Sequence, residues 1–266
     1  MYVIIKWVIF LKIIKFKKIG KDKYKLFLDN NEELELYEDV IIKNELLLKK
    51  DIDSSNLDEI NRQNKIQFGY VLAIKYISIK MRSEKEINEY LKKKNIDKNT
   101  IDIIIYKLKE RNIINDKIFC KAFINDQISI TNNGINKIKR ELEKYGINKD
   151  IINEEINKID SNIFREKLSK LINKKIKIKK GSSNLIKQKL LLYFINLGYD
   201  KDMVVKELSS VNIKTDLNIL KKEYDKLYIR YSKKYSSSEL NYILYNKLLS
   251  KGYKSDDINN VIKNKF

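Results

Sequence analysis

A pattern of apolar residues recurs along the chain at offsets of 51, 52 and 54 residues. Between Ile87 and Leu108, six apolar positions follow the spacing of two successive amphipathic helices. The same six positions are apolar between Ile138 and Ile159 and between Leu190 and Val211, and five of them recur between Leu244 and Ile262. A period of this length predicts a repeat protein, in which each unit buries its apolar face against its neighbours.

The ends of the helices within each repeat carry their own signals. Ser83, followed three residues later by Glu86, is a capping-box pattern at the start of a helix. The residue after that helix is suited to a positive φ in all four copies, and these residues are Asn95, Gly146, Gly198 and Gly252. From about residue 56 we therefore expect helices to the end of the chain, three in each repeat.

The first 60 residues have a β-like texture instead. Short apolar runs between turn signals predict three strands, at 13–18, 24–28 and 33–37. We expect a short helix over 39–48, with Leu46–Leu48 facing inward, and then a polar connection over 51–55. This module is too small for a large core of its own, so we expect it to pack against the following helices.

The first twelve residues are apolar but too short to span a membrane, and Lys6 interrupts them. They also lack the basic segment and the small-residue cleavage site of a signal peptide. Three interpretations remain open, of which the first two are favoured: an edge strand, an upstream extension from a misassigned start, or a weakly membrane-facing segment.

The repeat period and the β-like segment together define the predicted architecture. The fold class is mainly α, with tandem three-helix repeats in an elongated curved array and a small N-terminal β-rich module. The predicted domains are the β-rich module, 1–60, and four three-helix repeats, 61–113, 114–160, 161–213 and 214–266.

The composition excludes several kinds of chemistry. The chain has no histidine, which rules out Ser-His-Asp and Cys-His catalysis and most zinc sites. Cys120 is the only cysteine, so no intramolecular disulfide can form, as suits a reducing cytoplasm, and we expect it to be a small core residue. The pairs Glu154–Glu155 and Asp256–Asp257 suggest a metal site at first, but adjacent residues point to different sides of a helix and fit solvated faces better. We therefore expect neither an enzyme nor a bound metal or cofactor.

The chain is strongly basic, with 56 Lys and Arg, 36 Asp and Glu, and a formal net charge of +20. Two interpretations remain open: a soluble, lysine-covered surface, or contact with a polyanion such as nucleic acid or a nucleoprotein. Basic residues are concentrated in two segments, with eight Lys and one acid from Lys6 to Lys25, and ten Lys or Arg and one acid from Asn162 to Lys189. The candidate partner-binding residues are Arg82, Arg140, Arg165, Lys174, Lys175, Lys177, Lys179 and Lys180. A stacked helical array with a basic stripe suits an extended polyanionic partner better than a small ligand.

Four segments, taken together, resemble the RecX family, which are bacterial regulators of the RecA recombinase. They are Tyr76–Glu86 (YISIKMRSEKE), Leu108–Phe119 (LKERNIINDKIF), Asn133–Ile147 (NGINKIKRELEKYGI) and the N-terminal Lys23–Val40 (KYKLFLDNNEELELYEDV). The resemblance covers about residues 13–266, including the three-helix repeat unit. The chain departs from the family pattern at Asn112, where glycine is usual, at Cys120, where alanine is usual, and at Gln127, where many members have arginine.

The resemblance implies regulation and not catalysis. RecX-like proteins bind RecA on single-stranded DNA, lie along the groove of the filament, and inhibit strand exchange and ATP hydrolysis, with consequences for DNA repair, recombination and the SOS response. We therefore expect a cytoplasmic monomer that binds the RecA filament and contacts single- or double-stranded DNA weakly through its basic surface, with no membrane partner and no cofactor. The alternative is a direct DNA-binding helical protein, such as a transcription factor built from helix-turn-helix units.

Overall fold

The protein is described by a computed structural model over residues 10–263, and its fold is mainly helical with a small N-terminal β-sheet, as the repeat pattern predicts. The chain divides into two compact units, Met1–Phe119 and Cys120–Phe266. Of the first twelve residues, for which three interpretations were open, Phe10–Lys12 form the start of a strand, and the other nine lie outside the described residues. The domain boundaries stay a prediction. Within the described part of the chain, no helix combines the length and the apolar character needed to cross a membrane.

Four strands and fourteen α-helices lie within residues 10–263. The strands are β1 (Phe10–Lys18), β2 (Lys23–Leu28), β3 (Glu33–Tyr37) and β4 (Asp51–Asp53). The helices of the first unit are α1 (Glu38–Lys43), α2 (Leu46–Lys49), α3 (Leu57–Ile77), α4 (Glu84–Lys93) and α5 (Lys98–Glu110). The helices that follow are α6 (Asp116–Ile130), α7 (Ile135–Lys144), α8 (Lys149–Asn157), α9 (Ser161–Ile176), α10 (Ser183–Asn196), α11 (Lys201–Ser210), α12 (Leu217–Tyr231), α13 (Ser237–Ser250) and α14 (Ser255–Lys263).

The sheet is antiparallel, with strand order β3-β2-β1-β4, and one of its faces is apolar. Leu26, Leu28 and Leu36 lie on that face and are almost fully buried. They belong to one core with Val40 and Ile41 of α1. The three predicted strands are therefore present, and the alternation of their side chains builds the core of the module.

The polar connection expected over 51–55 is wrong in part, because its first three residues form β4. Ile52 pairs with Leu11 of β1 and is 1% exposed. One apolar residue between two aspartates gives no alternation that distinguishes a strand from a loop. The strand forms because β1 offers it an edge to pair with.

The single helix expected over 39–48 is also wrong, because the chain forms two short helices, α1 and α2. Glu45 lies between them with a φ of 54°, which interrupts the helical path. Leu46 is buried as expected, but Leu47 and Leu48 are 54% and 82% exposed. The break therefore directs only the first of these leucines into the core.

Local signals and close packing shape the first group of three helices, α3 to α5. Ser83 caps α4 and forms a capping box with Glu86, and Asn95 takes a φ of 59° beyond the end of α4, both as predicted. Gly69 of α3 allows α5 to approach closely, since a Cβ at this position would lie 2.5 Å from Cδ1 of Ile104. The fully buried core residues are Ala73, Ile87, Leu91, Ile101, Ile104 and Leu108.

The recurring apolar positions of the sequence are the buried positions of the structure. In the first three copies, the first five positions are all buried. The sixth position is buried as Leu108 but only half-buried as Ile159 and Val211. Cys120, in α6, is fully buried, which confirms the core interpretation.

One contact between helix ends joins α7 to α10. The amide of Gly134 donates to the carbonyl of Leu197 at 2.7 Å, and the amide of Asn136 donates to the carbonyl of Gly198 at 2.9 Å. The start of α7 thus caps the end of α10, since the terminal amides and carbonyls of a helix lack partners within it. A Cβ at Gly134 would overlap the amide nitrogen of Tyr199, and one at Gly198 would overlap the backbone of α7.

A second contact of this kind joins α10 to the end of α13. Ser182, which precedes α10, donates a hydrogen bond from Oγ to the carbonyl of Lys251 at 2.8 Å. A Cβ at Gly252 would lie 3.1 Å from Oγ of Ser182, so the end of α13 packs closely against the start of α10. In this second contact a serine side chain makes the hydrogen bond, whereas in the first contact the two backbones bond directly at glycine residues.

Replacing Gly134 with alanine should lower the free energy of unfolding of the second unit by about 1–3 kcal/mol, because the added carbon overpacks the contact with α10. Gly198→Ala should cost more, since its φ of 88° strains a residue with a Cβ. Gly20→Ala is the matched control, because its Cβ would make an ordinary contact at 3.6 Å. Urea denaturation followed by circular dichroism measures the three variants, and equal midpoints for Gly134→Ala and Gly20→Ala would contradict the proposed contact.

Candidate functional site

The densest group of predicted partner-binding residues lies where α9 ends and the chain turns toward α10. We call this group the basic run, and it consists of Lys174, Lys175, Lys177, Lys179 and Lys180. Its first two members lie in the last turn of α9, where positive charge interacts favourably with the helix dipole. The helix is fixed by its apolar face, whose buried residues are Phe164, Leu168 and Ile172.

The chain that follows the basic run is held by contacts with other helices. Gly181 takes a φ of 128°, a value that favours glycine, and its carbonyl accepts a hydrogen bond from the amide of Asp216 at 3.1 Å. Ser182 then caps α10 by accepting a hydrogen bond from the amide of Leu185 at 3.3 Å. The backbone of the basic run is therefore anchored on both sides.

Most side chains of the basic run extend into solvent. The exposed members are Lys174, Lys177, Lys179 and Lys180. Lys175 is half-buried, and its Nζ lies 4.1 Å from the centroid of the Tyr193 ring, which is a cation–π contact. Among the described residues, no carboxylate lies within ion-pair distance of these five lysines. The basic run therefore presents positive charge that the surrounding protein does not neutralise.

Two other cations of α9 make contacts inside the protein. Nε of Arg165 donates to Oε1 of Glu207 in α11 at 2.9 Å; the Glu207 side chain is 10% exposed, and that of Arg165 is 56% exposed. Nζ of Lys167 donates to the carbonyl of Ile128 in α6 at 2.5 Å, and burial lowers the pKa of this lysine. Arg165 thus anchors α9 on α11 through one nitrogen, while half of its surface stays accessible.

Arg82 lies in the first unit, between an aromatic ring and a carboxylate. Its guanidinium carbon is 3.8 Å from the centroid of the Tyr76 ring, which stacks on the Tyr90 ring at 4.1 Å. Its Nη1 donates to Oε1 of Glu86 at 3.1 Å, and only 12% of its side chain is exposed. The structure thus gives Arg82 an internal role, supporting the capped start of α4.

The remaining predicted residue, Arg140, is exposed on α7. Its Nε donates to the carbonyl of Asn136 in the same helix at 3.3 Å. Arg165 and the basic run share α9 and the turn that follows it, whereas Arg140 lies on α7 and Arg82 lies in the connection between α3 and α4. The structure therefore collects six of the eight predicted residues in one stretch of chain.

The other basic segment of the sequence lies in the β-sheet, where β3 neutralises part of it. Lys23 pairs with Glu35 at 2.6 Å, and Lys25 pairs with Glu33 at 2.6 Å. The hydrogen bond from Lys23 lowers the pKa of Glu35. The lysines of β1 stay exposed, namely Lys12, Lys15, Lys17 and Lys18. These lysines form a second concentration of exposed positive charge, in the first unit.

Among the described residues, no three acidic or cysteine side chains come together in a group that could hold a metal ion. Glu154 and Glu155 both accept hydrogen bonds from Lys158, at 2.9 and 2.6 Å. The solvated-face interpretation is wrong for Glu155, which is 6% exposed because it faces the interior and pairs with Lys158. Asp256 and Asp257 lie in the first turn of α14, where negative charge is favourable, and Asp256 is exposed while Asp257 is half-buried.

Comparisons with known proteins agree with one another. The family model described as RecX, first three-helix domain, matches residues 70–108. Regulatory protein RecX of Streptococcus agalactiae serotype Ia is 33% identical over 255 residues, which cover 94% of this chain and 98% of that protein. Regulatory protein RecX of Streptococcus gordonii is 33% identical over 260 residues, which cover 95% of this chain and 100% of that protein.

A solved structure shares the fold. The crystal structure of a regulatory protein RecX superposes with a TM-score of 0.66 and covers 76% of this chain and 100% of that chain. Its sequence identity is 20%, so this likeness concerns the fold, whereas the relatives above match nearly the whole sequence.

Replacing Arg82 with alanine should lower the free energy of unfolding of the first unit by about 1–3 kcal/mol, because the cation–π contact and a charge-assisted hydrogen bond are lost. Combined with Tyr76→Leu, it should show a coupling energy of about 0.5–2 kcal/mol. Lys92→Ala, at an exposed position on α4, is the control and should change stability by less than about 0.5 kcal/mol. Urea denaturation supplies the values, and strictly additive effects of the Arg82 and Tyr76 substitutions would rule out an energetic role for the stack.

Proposed function

The chain belongs to the RecX family of regulatory proteins, and we propose that it binds RecA filaments on single-stranded DNA and inhibits their ATP hydrolysis and strand exchange. The observation that carries the proposal is the match, along nearly the whole chain, to proteins named regulatory protein RecX. The RecA partner comes from the resemblance of the four sequence segments to that family. Such an activity regulates DNA recombination and repair.

The distribution of charge supports a filament as the partner. A filament of protein on DNA is long and repetitive and carries a phosphate backbone, so it offers the same anionic groups many times. The basic run is exposed, anchored and not neutralised by nearby acids, which suits contact with such a surface. Many modest contacts on one partner add avidity without a deep pocket.

The predicted residues take different parts in this proposal. The lysines of the basic run supply the main electrostatic contact, and Tyr193 orients Lys175 within it. Arg165 and Arg140 add contacts through their exposed surfaces. Arg82 acts indirectly, because it stabilises the first group of helices. Direct contact with DNA is expected to be weak, and its strength should fall with salt, since phosphate contacts release counterions.

Added protein should inhibit the ATPase activity of RecA on single-stranded DNA at micromolar concentrations, because it occupies the filament that hydrolyses ATP. Co-sedimentation with the filament measures binding separately from inhibition. An absence of both inhibition and association would contradict the proposal.

Reversing three charges of the basic run should weaken binding to the RecA–DNA filament by about tenfold or more at physiological salt, because the electrostatic attraction falls. The changed residues are Lys177, Lys179 and Lys180, which follow the last turn of α9. Three exposed lysines at helix starts or on a helix face serve as the control with an equal change in net charge: Lys149, Lys201 and Lys221. Circular dichroism verifies that both variants fold.

Equal affinities of the two charge variants would exclude the basic run as the contact surface. Sequence-specific binding to duplex DNA without RecA would instead favour the alternative of a direct DNA-binding protein. Weak, non-specific DNA binding does not discriminate between the two, since a chain with a net charge of +20 is expected to show it in either case.

A further inference from the structure

A polar pocket of about 500 Å³ opens in the first unit, between α1, α3 and α5. Four cationic side chains line it: Lys43 from α1, Arg62 from α3, Lys107 from α5 and Arg111, which directly follows α5. Its acidic lining residues are Asp39 and Glu59. Cations therefore outnumber acids in a concave site to which none of the eight partner-binding candidates belongs.

The two acids are already engaged by other donors. Glu59 accepts hydrogen bonds from Nε and Nη2 of Arg62 at 2.6 and 2.9 Å, and from Nε2 of Gln63 at 2.9 Å. These bonds, from Arg62 first and Gln63 second, lower the pKa of Glu59 to about 2. Asp39 accepts a hydrogen bond from Nε2 of Gln67 at 2.7 Å. Glu59 is thus taken up by the guanidinium of Arg62 and by Gln63, which leaves Asp39 as the one lining acid that faces the remaining cations.

The remaining cations leave the pocket with uncompensated positive charge. Among the described residues, neither Lys43 nor Lys107 has a carboxylate within ion-pair distance. Arg111 donates to the Tyr70 hydroxyl at 3.1 Å, which is a neutral partner. Lys107 is half-buried, and burial first, then Lys43, Arg111 and Arg62, lower its pKa against the opposing effect of Asp39. An anion in the pocket would relieve this repulsion.

We propose that this pocket binds a phosphate group, carried either by a small phosphate compound or by the backbone of a nucleic acid strand. A phosphate group presents strong acceptor oxygens and carries one negative charge in a diester and up to two in a monoester, which match the lysine and arginine donors of this pocket. The pocket volume falls in the range of small-ligand sites and exceeds that of a single phosphate, so it accommodates a phosphate ester with its substituent. Val40, Ile66 and Ile103 supply apolar surface for that substituent.

The position of the pocket gives binding a structural consequence. Helix α1 belongs to the core of the β-sheet module, whereas α5 belongs to the core of the first three-helix group. A phosphate held by Lys43 and Lys107 would bridge these two cores. Binding should therefore raise the thermal stability of the first unit.

Titration of the full chain with inorganic pyrophosphate tests the site, with calorimetry and thermal unfolding as readouts and no RecA present. We expect binding and a higher unfolding temperature. Lys107→Met keeps the apolar stem but removes the charge, and should weaken pyrophosphate binding at least tenfold. Lys43→Met, on α1, should weaken it in the same direction. Lys98→Met, at an exposed position in the first turn of α5, is the control and should bind as the unchanged protein does.

In the second arm, a short single-stranded oligothymidylate is titrated into the variant in which the charges of Lys177, Lys179 and Lys180 are reversed. These three lysines then do not contribute to the binding. Competition between the oligothymidylate and pyrophosphate assigns the site to a nucleic acid backbone, and pyrophosphate binding without competition assigns it to a small phosphate compound. The proposal is overturned if neither probe binds, or if Lys107→Met and Lys43→Met bind as tightly as Lys98→Met.

Discussion

The contact between the start of α7 and the end of α10 is the constraint on which the packing of the second unit depends. The carbonyls that close α10 accept hydrogen bonds from the amides that open α7, so the unpartnered groups of one helix satisfy those of the other. The two helix dipoles meet with opposite signs, which adds a favourable electrostatic interaction. Because the backbones touch, Gly134 and Gly198 are required for their missing Cβ atoms. Ser182 makes a comparable contact with the carbonyl of Lys251 through its hydroxyl, and Gly252 again leaves little space between the two helices.

Much of the fold could be predicted because it depends on neighbouring residues in the sequence. Ser83 and Glu86 form their capping box within four residues, and Asn95 and Asn112 take a positive φ that asparagine tolerates. The elements that were not predicted depend on residues far along the chain. Strand β4 exists because β1 offers an edge, and the break between α1 and α2 falls at Glu45, a residue with no intrinsic preference for a positive φ.

The candidate site could be predicted only as a concentration of charge. The sequence located the basic run but did not distinguish accessible cations from engaged ones. Arg165 differs from its neighbours because Glu207 reaches it from 42 residues away, and Arg82 differs because it stacks on the Tyr76 ring and bonds to Glu86. The phosphate pocket escaped prediction for the same reason, since its four cations lie on or directly after three helices and form no cluster in the sequence.

Several carboxylates of this protein hold helices in place, and this leaves the surface basic. Glu207 holds α9 on α11, Glu86 completes the cap of α4, and Glu223 of α12 pairs with Lys251 at the end of α13. Acids used in this way are not available to neutralise the basic run. The basic run therefore attracts polyanions over a distance but specifies little about their shape, and salt screens that attraction. The pocket has fewer cations, but its half-buried Lys107 is screened less and its walls restrict what enters. Long-range attraction suits the proposed binding along a repetitive filament, whereas restricted entry suits the proposed selection of one phosphate ester.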